Sequence, residues 1–201
     1  GNDLTIITGK PNYPIGKFYK GYSFFSKHKE LFNGAKIIRV PVLARGDGSS
    51  FQLFLNYLSF AFFGSLFTLF HKKKYDFSLV FAVSPITAAI PAIISRIFHG
   101  NKVVLWILDL WPESLYVNDR LNNTALSRVV LSLVRFIYNQ SDKIFISSQS
   151  MKPSILDKLK SEYAKEIYHM PNWAEETFYE EIVDTNKYFH LMPNGFKIMF
   201  A

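Results

Sequence analysis

Lys102-Val-Val-Leu-Trp-Ile-Leu-Asp-Leu-Trp-Pro-Glu-Ser114 is the stretch whose reading decides the fold. Val103 to Leu108 is an unbroken apolar run with no polar alternation. A strand reads this way when both faces are covered, as in the middle of a parallel sheet. Asp109 stands at the carboxyl end of the run, and Trp111-Pro112 turns the chain. Open α/β sheets bind their ligands at the carboxyl ends of strands. An acid there, between Trp106 and Trp111, is the strongest candidate for chemistry, with Glu113 the next acid along. The alternative is that Asp109 caps the following helix or binds loop amides.

Units of strand and helix flank this stretch on both sides. Upstream, Leu4 to Thr8 is a short strand, Lys36 to Leu43 a second, and Phe77 to Val83 a third. An apolar helix from Ile86 to Phe98 follows, with Pro91 predicting a kink or a late start. Downstream, a helix capped by Asn123 or Thr124 runs to Asn139, with apolar residues at helical spacing. The next unit is a strand from Lys143 to Ser147 and a helix from Met151 to Tyr163, with Ser148 or Ser150 as cap. A last strand, Ile167 to Met170, ends in Pro171-Asn172-Trp173. The repeating order predicts a doubly wound parallel sheet. Its domain spans residues 1–173. Residues 174–201 read as an acidic connector and the start of a further strand at Phe196. The turn-like opening Gly1-Asn2-Asp3 predicts that the chain starts inside its fold.

Two stretches do not fit that alternation. Lys10-Pro-Asn-Tyr-Pro-Ile-Gly-Lys-Phe-Tyr-Lys-Gly-Tyr22 has too many turn residues for a helix and reads as a structured loop. Its lysines and tyrosines suit sugar stacking and phosphate contact, or else an ordinary surface loop. Phe51 to Phe70 is long enough to span a bilayer and carries no charge before His71-Lys72-Lys73-Lys74. Its place between two strands argues against a full span. We expect a helix packed on the sheet that touches a membrane through Phe62, Phe63 and Phe67, with Lys72, Lys73 and Lys74 on the headgroups. The other reading is a long core helix with a solvated basic tail.

Composition narrows the classes. The chain has 201 residues, 49% of them hydrophobic, enough for one domain with a sizeable core. Without cysteine, disulfides and thiolate metal sites are excluded. The charge of +7 is uneven: residues 1–102 hold 13 Lys/Arg against 4 Asp/Glu, and residues 103–201 hold 10 against 12. A basic, Phe-rich half suits an anionic membrane surface or substrate phosphates. No nucleic-acid module is visible, and no nucleic-acid partner is expected. The five histidines are dispersed, so no metal site is expected. Neither of the common phosphate loops nor a Gly-x-Ser-x-Gly elbow occurs.

Leu105-Trp-Ile-Leu-Asp-Leu-Trp-Pro-Glu-Ser114 resembles the signature segment of bacterial family 4 glycosyltransferases of the fucosaminyltransferase type, which act in capsule and O-antigen (lipopolysaccharide) synthesis. Lys10-Pro-Asn-Tyr-Pro-Ile-Gly-Lys17 and Met170-Pro-Asn-Trp173 resemble two further segments of that family, and the likeness runs over nearly the whole chain. The resemblance implies the Rossmann-like N-terminal half of a GT-B enzyme, lacking the family's first strand and its donor-binding domain, and so inactive alone. It implies retaining, metal-independent transfer from a nucleotide sugar, UDP-linked, to a lipid-linked saccharide, with no cofactor. The protein would be cytoplasmic and peripheral on the inner face of the cell membrane. Asp109 would then orient or deprotonate the acceptor hydroxyl. Lys10, Asn12, Tyr13, Gly16, Lys17, Ser84, Trp111, Asn172 and Trp173 would line the substrate cleft, although Ser84 also suits a plain helix cap. The competing function is a noncatalytic, membrane-associated α/β binding domain.

Overall fold

The run Lys102–Ile107 forms strand β5, and it is covered on both faces as its composition requires. Val103, Leu105 and Ile107 are wholly buried on one side and Trp106 is buried on the other. Each fully buried aliphatic side chain contributes about 1.5–3 kcal/mol relative to exposure. The computed structural model describes residues 3–26, 29–71, 73–117, 124–160 and 167–173, with Gly195.

In chain order the elements are β1 (Thr5–Gly9), β2 (Lys29–Phe32), β3 (Ala35–Val40), α1 (Ser50–Phe70), β4 (Phe77–Ala82), α2 (Ile90–His99), β5, α3 (Glu113–Val117), α4 (Thr124–Asn139), β6 (Lys143–Ile146), α5 (Lys152–Leu156) and β7 (Ile167–His169). Strands β4-β5-β6-β7 form one all-parallel sheet in that order. The fold is therefore mixed α/β, with a four-stranded parallel sheet flanked by helices. Ile93 of α2, Val134 and Ile137 of α4 and Ile155 of α5 join Val103, Leu105, Ile107, Ile144 and Ile146 in one apolar core. Asp142 ties this layer together: its carboxylate accepts from Arg96 of α2 and, at 2.7 Å, from the Val103 N–H.

The expectation of a single parallel sheet is corrected. Strands β1, β3 and β2 form a separate sheet in that order, and β2 runs antiparallel to β3. The cause is local. Asn33 and Gly34 take φ values of 47° and 81° between Phe32 and Ala35, the geometry of a two-residue type I′ hairpin turn.

Pro91 gives a late start rather than a kink. Ile86–Ala89 is a 3-10 turn, Pro91 sits in the first turn of α2, and Gly100 closes it in a left-handed conformation. The helix expected to run from Met151 to Tyr163 is shorter: α5 ends at Leu156. Asn139 accepts from the Lys160 N–H at 3.0 Å, which draws the chain off the helical path. Residues 161–163 lie outside the described set.

Ser49 caps α1 by accepting from the Gln52 N–H. The buried positions of α1 are all small residues: Ser59, which meets Leu43, and Ala61, Gly64 and Thr68. A Cβ on Gly64 would come within 2.7 Å of Pro91 Cγ, and the Thr68 hydroxyl donates to the Pro91 carbonyl at 3.2 Å. Away from Gly64 and Thr68 the helix carries Phe51, Phe54, Leu58, Phe62, Leu66 and Phe70, all exposed. By length and composition α1 could cross a membrane.

The chain divides into two compact units, Gly1–Pro171 and Asn172–Ala201. All the strands and helices above belong to the first. Asn172 and Trp173 open the second and are exposed. The connector expected at 174–190 and the strand expected from Phe196 lie outside the described residues.

Candidate active site at the carboxyl end of β5

Asp109 follows β5 by two residues, in the bend where the chain leaves the sheet. Ser84 lies at the same edge, because β4 and β5 are in register with Ala82 opposite Ile107. The Leu108 N–H still pairs with the Ala82 carbonyl, and the Ser147 N–H pairs with Ile107. The edge is therefore rigid up to the residue before the acid.

Burial pushes the Asp109 carboxyl above the ordinary aspartate value, and three donors oppose that rise: the Ser114 hydroxyl, the Trp111 indole N–H and the Leu110 backbone N–H. The Trp111 N–H is itself buried without a partner at full hydrogen-bonding distance, yet it acts on the carboxylate. Asp109 is not a helix cap, since α3 begins four residues later at Glu113. A partly desolvated carboxylate at a sheet edge has the character of a general base.

Glu113 sits differently. Its Oε1 receives the Ser154 hydroxyl and the Lys158 ammonium, each at 2.5 Å. Burial would raise its carboxyl, but Lys158 and Ser154 outweigh it and hold the group below the ordinary glutamate value. The Lys158 side chain is almost wholly buried. Glu113 is thus an ionised, neutralised anchor joining α3 to the α5 turn, which makes it the poorer base of the two acids.

Tyr138 of α4 completes the cluster, and nothing in the sequence marks it as part of a site. Its ring is fully buried and its hydroxyl has no hydrogen-bond partner. Burial drives its pKa far upward, and the charges of Glu113 and Asp109 add to that. Lys158 and Ser154 were also missed. A buried Lys paired with an acid 45 residues away leaves no trace in local spacing.

Five other sequence-predicted residues, Lys10, Asn12, Tyr13, Gly16 and Lys17, lie together in the loop at the carboxyl end of β1. Lys10 is buried at 1% exposure and donates to the Ser26 carbonyl at 2.5 Å, so it fixes the loop rather than presenting its ammonium outward. Asn12 donates to the Lys10 carbonyl at 2.8 Å and accepts from the Arg45 N–H at 3.1 Å. Gly16 has φ of 72°, and a Cβ there would stand 1.7 Å from the Gly46 carbonyl oxygen, so only glycine fits. Tyr13 and Lys17 are the exposed members. The Arg45 guanidinium lies over Tyr13 and Tyr57, 5.0 and 5.4 Å from their ring centroids, and donates to the Tyr57 hydroxyl at 2.7 Å. Arg45, hidden in the sequence by its turn-rich surroundings, comes from the loop between β3 and α1 and joins the exposed Lys17 as a cation at this cluster, where Lys10 does not.

Of the expected membrane contacts, Phe62 is exposed, whereas Phe63 packs edge-on against Phe24 and Phe62, and Phe67 stacks on His71 at 4.8 Å. Lys73 bonds to Asp3 at 2.6 Å, Lys74 is exposed, and Lys72 lies outside the described residues. Among the described residues no three His, Asp or Glu side chains converge on a point where a metal could sit. No protein-family model matches the chain, and no curated protein matches it in sequence.

Proposed function

We propose that this chain is the Rossmann-like, acceptor-side domain of a GT-B glycosyltransferase of family 4. With a donor-binding domain it would move a sugar, with retention and without a metal, from a UDP-linked donor to a lipid-linked saccharide in cell-surface polysaccharide synthesis. The observation that carries this reading is Asp109: a carboxylate at the carboxyl edge of a parallel sheet, raised by burial against the opposing effect of the Ser114 hydroxyl and the Trp111 indole. In the proposed role Asp109 accepts the proton, or orients the hydroxyl, as the acceptor oxygen attacks the anomeric carbon. Tyr13 and Lys17 on the loop after β1, with Arg45 from the loop between β3 and α1, supply aromatic faces and cations for sugar and phosphate. The apolar stripe of α1 holds the domain on the cytoplasmic face of the membrane, where a lipid-linked acceptor resides.

The test is Asp109→Asn in the protein carrying both domains. Turnover per folded molecule should fall by roughly a hundredfold or more with donor affinity unchanged. Full activity in a stably folded Asp109→Asn enzyme removes this residue from the mechanism.

A second reading, a noncatalytic membrane-associated binding domain, is favoured by one observation: α1 presents an exposed Phe/Leu stripe whatever Asp109 does. It predicts membrane binding with no transfer activity in the two-domain protein.

A further inference from the structure

Between α1 and β3 lies a groove of about 510 Å³, within the usual range for small-molecule sites. Ile38 and Val40 of β3 line it, as do Phe63 and Phe67 of α1. Leu66 and Phe70 also line it, and both belong to the exposed stripe of α1. The groove is therefore continuous with that stripe, so an apolar chain could pass from one to the other without crossing water.

The polar lining groups gather on one side of the groove. Lys29, exposed at the start of β2, and His71, just past α1, both line it. His71 is kept neutral there, first by burial and then by the charges of Lys73, Lys29 and His99. Arg39 also lines the groove, but its guanidinium is committed to Glu30 at 2.9 Å. Lys73 is held by Asp3. Among the described residues that line the groove, Lys29 is therefore the cation placed to meet an incoming anion.

We propose that this groove seats one chain of a single anionic lipid, with the lipid phosphate against Lys29. The inference rests on the reading that α1 lies on a membrane, and it adds a stoichiometric lipid site to that surface contact. An apolar channel with an ammonium at one side matches the two-part chemistry of a phospholipid. A peptide strand would need donors and acceptors along its whole length, and apart from Lys29, Arg39 and His71 the lining side chains are aliphatic or aromatic.

The probe is dihexanoyl phosphatidic acid dispersed below its micelle threshold, titrated calorimetrically into the whole chain. The expected result is saturable one-to-one binding that dihexanoyl phosphatidylcholine reproduces at least tenfold more weakly. Leu66→Trp, which narrows the groove from its exposed side, and Lys29→Glu, at the surface, should each weaken binding at least tenfold while circular dichroism shows the fold intact. Millimolar inorganic phosphate should not compete. Absence of saturable binding, binding untouched by both variants, or binding abolished by inorganic phosphate alone overturns the proposal. So does sedimentation showing that a second copy covers the groove. Co-sedimentation with phosphatidylglycerol vesicles, run in parallel, separates the two levels. A chain that sediments with vesicles but does not bind the dispersed lipid loses the groove and keeps the membrane reading; a chain that does neither loses both.

Discussion

Lys158 Nζ stands 2.5 Å from Glu113 Oε1, and Ser154 Oγ shares the same carboxylate oxygen at the same distance. The pair joins α3, which follows the Asp109 bend, to the turn after α5. Removing the ammonium by Lys158→Met leaves Glu113 charged with its Oε2 buried and unpartnered. Because the Glu113 side chain is 42% exposed, water screens part of that loss, and we expect a cost of about 1–2 kcal/mol. The folded-state pKa of Glu113 is depressed, so its contribution is fully present above the ordinary glutamate value of 4.5. It is lost as pH falls through the lowered value. Urea denaturation of the two proteins should therefore differ at pH 7 and converge in acid.

Asp109 carries the opposite sign. Its folded-state pKa is raised, so its stabilising share is complete below the ordinary 3.8 and is lost as pH rises through the elevated value. At neutral pH the ionised carboxylate is a net burden on the fold. Asp109→Asn should raise the melting temperature at pH 7, and the gain should vanish below about pH 3.8. A lower melting temperature at pH 7 would show that the carboxylate serves the fold instead.

Tyr138 holds a buried hydroxyl with no partner. Such a group forfeits its hydration and receives nothing in exchange. Tyr138→Phe should therefore be neutral or stabilise the chain by up to about 1 kcal/mol, read as a shift in denaturation midpoint at constant slope. A loss of more than about 1 kcal/mol would reveal an ordered water bridging Tyr138 to the neighbouring acids.

Leu58 and Phe62 lie near the middle of the exposed stripe on α1, 51% and 60% exposed. Leu58→Glu with Phe62→Glu should abolish co-sedimentation with anionic vesicles while leaving the thermal transition nearly unmoved, since neither side chain is in the core. Binding by the unaltered chain should weaken as salt is added, through Lys74 and the other exposed cations. Vesicle binding that survives the double substitution would place the contact elsewhere.

The central strand was legible because its signal is local: six apolar residues in a row can hardly be anything but a strand covered on both faces. Pro91 alone left a kink or a late start open for α2, and the packing settles it as a late start. The division into two sheets was not foreseen, although Asn33-Gly34 between two short segments is a strong hairpin signal; the charged ends of β2, Lys29 and Glu30, hid the strand. Side-chain roles proved hardest. Lys10 looks like a surface cation in a glycine-rich loop, yet it is buried, and the distant Ser26 is what holds it. The Glu113–Lys158 pair and the placing of Tyr138 are long-range facts of packing, on which spacing is silent.

The contact between Gly64 and Pro91 has a consequence for how α1 can stand. A turn of one residue about the helix axis would bring Phe63 or Ser65 to face the proline ring, where even a Cβ at position 64 is too much. The helix therefore has one azimuth. The arc over which its six large residues spread is set by the core, and a flat apolar boundary would meet that arc in a single pose.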